Sequence, residues 1–139
     1  MAITQALCTS FKAESYQAIH DLLVDDIRMA LYTDSATLNA ATTVYSATNE
    51  ASGTGYSAGG QVLDGATISL DSSTAIVDFT DEVFADVTVS ADGCIIYNAT
   101  QGNKAIAVID FGGTVSATAG DLTIEFPAAD ASNAVIRIA

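Results

Sequence analysis

The side chains with the widest chemical reach are few. The chain has one histidine, His20, two cysteines, Cys8 and Cys94, and seventeen carboxylates. A hydrolase triad needs a nucleophile, a base that titrates near neutrality and an acid to orient it. Only His20 can supply the base. Pairing it with Cys8 would make a thiol nucleophile, but no cysteine-hydrolase signature surrounds either residue, so His20 reads as a partly exposed histidine on a helix. A carboxylate pair for glycoside chemistry could be drawn from any of the seventeen, which singles out none. No catalytic residue is assigned.

Metal and phosphate chemistry are weakly signalled. Asp78, Asp81, Glu82 and Asp86 could offer oxygens to calcium, but their spacing fits no EF-hand: Phe79, Val83 and Phe84 stand where oxygen donors or glycine are required. The cluster reads as a solvated acidic turn, and no metal site is assigned. Gly53-Thr54-Gly55-Tyr56-Ser57-Ala58-Gly59-Gly60 lacks the Gly-Lys-Ser/Thr ending of a phosphate loop and joins no buried strand to a helix. No cofactor is expected. Cys8 and Cys94, 86 residues apart, read as reduced, buried small hydrophobes rather than as metal ligands.

Composition bounds the rest. The chain has 139 residues, half of them apolar, only 15% charged, and a net charge of −13. With mean hydropathy at +0.36, disorder through low hydrophobicity is excluded, and a single domain spanning residues 1–139 is expected. Strong acidity opposes contact with a phosphate backbone, so nucleic acid is not an expected partner. The first twenty residues lack a basic region followed by an apolar core, and no stretch has the 18 or so apolar residues of a membrane helix. Synthesis in the cytoplasm, free thiols and no membrane partner are therefore expected.

Periodicity then places the elements. Residues 10–24 set Phe11, Ser15, Ala18, Ile19 and Leu22 on one helical face, with Ser10 as N-cap, and predict a short helix within an N-terminal segment 1–24. Residues 27–32 alternate as a half-buried strand. Residues 33–60 have no sustained period and form a long loop, functional or a binding arm by its length, or else an ordinary loop packed by Tyr45 and Tyr56. Together these make a strand-and-loop region, 25–60.

From 61 to 139, short alternating runs at 61–63, 66–70, 74–79, 86–91, 94–99, 104–111, 113–118, 121–126 and 133–138 predict an antiparallel meander. Asp92-Gly93 is read as a type I′ hairpin turn, Gly102-Asn103 and Ala119-Gly120 as further turns, and Pro127 as the stop. Leu122, Ile124 and Phe126 share a buried face opposite Thr123 and Glu125. The run 105–109 is apolar on both faces, as in a central strand or one covered by a partner chain. The fold class is mainly β: an antiparallel β-sandwich or jelly-roll-like domain with one short N-terminal helix and a long loop.

One resemblance joins these segments. Phe11-Lys12, His20-Asp21, residues 26–33, Ala36-Thr37-Leu38 and residues 53–60, then Ile95-Ile96-Tyr97-Asn98, residues 105–112, 126–130 and Ile136-Arg137-Ile138-Ala139, resemble small virion proteins of tailed bacteriophages over nearly the whole chain. The resemblance implies a non-catalytic structural component of the particle, made in the host cytoplasm and located in the virion. Its first form is a head decoration or cement protein that binds the major capsid protein and associates as a homotrimer. A tail, collar or fibre component is the alternative. A small cell-wall hydrolase using His20, Cys8 or the carboxylates of residues 78–86 is the rival from a different class.

Overall fold

The computed structural model describes residues 2–130 and 132–138. It is mainly β, with two antiparallel sheets and one short helix in a sandwich-like arrangement. In chain order the elements are β1 (Ala6–Leu7), α1 (Thr9–Tyr16), β2 (Ile27–Tyr32), β3 (Gln61–Val62), β4 (Thr67–Asp71), β5 (Thr74–Asp78), β6 (Glu82–Asn98), β7 (Lys104–Ile124) and β8 (Ile136–Ile138). The larger sheet runs β1-β7-β6-β2-β3 and the smaller β4-β5-β8.

Two long strands replace the five predicted between residues 86 and 126. β6 and β7 form one hairpin, from Asn98 opposite Lys104 at its turn to Glu82 opposite Ile124 at its open end. Gly102 and Asn103, both at positive φ, make the turn as expected. Asp92-Gly93 does not turn the chain: it lies inside β6, and the irregularity falls on β7, where residues 111–114 bulge out between Asp110, opposite Gly93, and Val115, opposite Ala91. Gly93 serves close packing instead, because a Cβ there would come within 2.6 Å of the Ile109 carbonyl oxygen and 2.9 Å of the Ile3 side chain. Ala119-Gly120 likewise lies within β7, with Ala119 at φ 46° absorbing a register shift.

The predicted helix over 10–24 shortens to Thr9–Tyr16, with Cys8 rather than Ser10 at the N-cap position. Ala18 enters the left-handed region and ends it. Beyond it, the Asp21 carboxylate accepts from the Leu23 amide and starts a separate turn that closes on Asp25.

One apolar cluster gathers β2, the C-terminal half of β6 and the N-terminal half of β7, with Phe11, Phe79 and Ile136 packed around them. Ala105, Ile106, Ala107 and Val108 are all buried within this chain, β7 lying between β6 and β1, so no partner chain is needed to cover them. Leu122 and Ile124 are buried and Thr123 and Glu125 exposed, as their alternation predicts.

Candidate functional site

Two polar networks are the places where chemistry-bearing side chains converge. The first gathers the long loop. Tyr45 and Tyr56 each donate to one oxygen of the Glu50 carboxylate at 2.6 Å, and the Gly59 amide donates to it at 2.8 Å. The Tyr56 hydroxyl accepts from the Leu31 amide, while Tyr97 donates to the Gly59 carbonyl at 2.6 Å and stacks on Tyr45 with 4.7 Å between ring centroids. Tyr32 adds a 2.6 Å bond to the Ser46 carbonyl. Burial, then the neighbouring Glu50 carboxylate, raises the phenols of Tyr45 and Tyr56 above the ordinary tyrosine range. These phenols stay protonated donors to Glu50.

The loop is thereby bound to the sheet rather than free as an arm. Ala51 donates to the Leu31 carbonyl, Thr54 pairs with Thr88 of β6, and Val44 pairs with Lys104 of β7. Gly60, at φ 75°, lies so near β2 that a Cβ would overlap the Met29 carbonyl. The glycines of residues 53–60 thus allow backbone-to-backbone contact; they do not cradle a phosphate.

The second network surrounds His20, which sits beyond the end of α1 and not on it. Its side chain is 1% exposed, against the partial exposure expected from sequence. Nε2 lies 2.9 Å from Glu14 and Nδ1 3.0 Å from the Asn98 amide nitrogen. That amide nitrogen also donates to Asp25 at 2.7 Å, and the Asn98 oxygen accepts from the Gln101 amide. These two bonds orient the amide, so Nδ1 accepts and the ring proton points from Nε2 to Glu14. The Asn98 amide, first, and the Asp21 backbone amide hold the Asp25 carboxyl below its ordinary range.

A base of this kind has no nitrogen left for a nucleophile. Cys8 is buried, and burial together with Glu14 pushes its thiol up to about 11; burial raises Cys94 further. Both cysteines are free and buried, as their sequence suggests. The groove beside His20, about 360 Å³, is walled by apolar side chains such as Phe11, Val77 and Ile138. The hydroxyl lining it, that of Ser15, is bonded back to the Phe11 carbonyl.

The acidic residues do not converge. Asp81 accepts from the Phe126 amide, Glu82 from the Gln61 side chain, and Asp86 occupies a bulge whose amide donates to Asp121. Burial raises the Glu82 carboxyl. Among the described residues no group of three or more His, Cys, Asp or Glu side chains is placed to hold a metal ion.

The residues that organise both networks escaped the sequence reading. Glu50 had one signal: it and Asp34 are the only charged residues from 33 to 60, and Glu50 stands between Tyr45 and Tyr56. Asn98 had only its place as the polar end of an apolar strand. Comparison with known protein families, curated proteins and solved structures returns no match for this chain.

Proposed function

We propose that this chain is a non-catalytic structural subunit of a tailed-bacteriophage particle, seated on the head as a decoration or cement protein and bound to the major capsid protein. The observation that carries the reading is where the polar chemistry is spent. The lone imidazole and the Glu50 carboxylate fix loops to the sheet from inside, leaving the surface as the place for recognition. A net charge of −13 supports it by keeping a crowded subunit soluble until it docks. The extended resemblance to small virion proteins supplies the particle.

The test is co-sedimentation of the purified protein with expanded, empty heads, followed by electron microscopy of complete particles. Density on the shell is expected. Density at the tail alone moves the subunit to a tail, collar or fibre. Turnover of cell-wall polymer that disappears in His20→Ala replaces the reading with the hydrolase.

A further inference from the structure

The smaller sheet ends in an open edge. β4 pairs with β5 on one side, and among the described residues no strand pairs with its other side. The Ser72-Ser73 turn closes on the pair Asp71 and Thr74. Ladder bonds alternate along a strand, so Thr67, Ser69 and Asp71 direct their backbone groups to β5 while Ile68 and Leu70 direct theirs outward. The same two residues carry exposed apolar side chains, Ile68 at 54% and Leu70 at 76%, and the face continues through Ala75 to Ile138, at 57%.

We infer that a second copy of this chain docks here, adding its β4 antiparallel to β4 about a two-fold axis at Ser69. The strand is self-complementary in that register. Ile68 faces the second copy's Leu70, which pairs all four outward-directed backbones and sets apolar against apolar. Charge argues for the same place. Two chains at −13 repel, so a self-contact must fall where charge is thin; Asp71 is the one charged residue of β4, and this register sets it against Thr67 instead of its own counterpart. The result is a six-stranded sheet with a continuous apolar face. A five-residue edge buries less than a stable dimer needs, so the association is weak, with a dissociation constant on the order of 10–100 μM. The inference stands apart from the proposed virion role.

Sedimentation of the full chain over a concentration series tests it, together with oxidative cross-linking. Two Ser69 residues would face each other in a non-hydrogen-bonded pair with Cα atoms about 4.5 Å apart, within disulfide reach. Ser69→Cys is therefore expected to form covalent dimers, with Ile68→Cys slower by about tenfold or more, since residue 68 faces residue 70. Cys8 and Cys94 are buried and do not compete. Leu70→Lys, at an exposed position, is expected to weaken the dimer by about tenfold or more. Thr67→Lys should tighten it and Thr67→Asp loosen it, through the facing Asp71, with unchanged thermal unfolding confirming that each variant folds. The inference is overturned by a monomer at every concentration up to about 0.5 mM, about five times the upper end of the expected range. Equal cross-linking of Ser69→Cys and Ile68→Cys overturns it too. So does a trimer, since threefold association needs a heterologous contact whereas like strands pair two-fold.

Discussion

Glu50 joins a loop to a sheet through three donors. Removing its carboxylate in Glu50→Ala leaves two tyrosine hydroxyls and the Gly59 amide without their acceptor. A half-buried polar group stripped of its partner costs more than a bond gains, so the substitution is expected to lower stability by about 2–3 kcal/mol in urea denaturation. Tyr16, 96% exposed, is the control: Tyr16→Ala is expected to stay within about 0.5 kcal/mol of the parent. Tyrosine thus does two different things in this chain. Tyr32, Tyr45, Tyr56 and Tyr97 pack and hold the loop, as an ordinary tyrosine-packed loop would, while Tyr16 stands free at the end of α1. The composition of residues 33–60 pointed to tyrosine packing; the carboxylate at its centre became visible only when Tyr45, Tyr56 and Gly59 met around it.

At the scale of elements, the strongest local turn signal in the chain lost to long-range pairing. Asp92-Gly93 suits a tight turn, but Val87, Val89 and Ala91 before it and Cys94 to Tyr97 after it all face buried positions in one strand, between β7 and, for the second half, β2. Burying that continuous row outweighs one turn preference. Glycines in this fold therefore divide by reason. At Gly60, positive φ and contact with the Met29 carbonyl act together, whereas at Gly102 positive φ acts alone, with nothing within 4 Å of an added Cβ. Gly60→Ala is expected to cost at least about 3 kcal/mol and Gly102→Ala about 1 kcal/mol, read from thermal or urea unfolding. Equal costs would show that the loop yields at Gly60 and does not rest on β2 as described.

For the whole molecule, seventeen acidic and four basic residues are confined to one small fold. Self-repulsion of this size destabilises the compact state and is screened by salt, so raising NaCl from about 0.02 to 0.5 M is expected to raise the melting temperature by roughly 5 °C in a thermal-shift series. A melting temperature that falls would mean that the Arg28–Asp26 pair contributes more than the excess charge costs. By itself the sequence determined the class: period-two alternation, scarce charge and abundant apolar residues commit the chain to buried β-strands, to the strand over 27–32, to the burial of both cysteines and to the turn at Gly102-Asn103. Tertiary structure alone decided how far each strand runs and where His20, Glu50 and Asn98 meet. Strand ends and polar networks depend on partners distant in sequence, such as Asn98 with Asp25 or Thr54 with Thr88, and those partners exist as neighbours only after the sheets have formed.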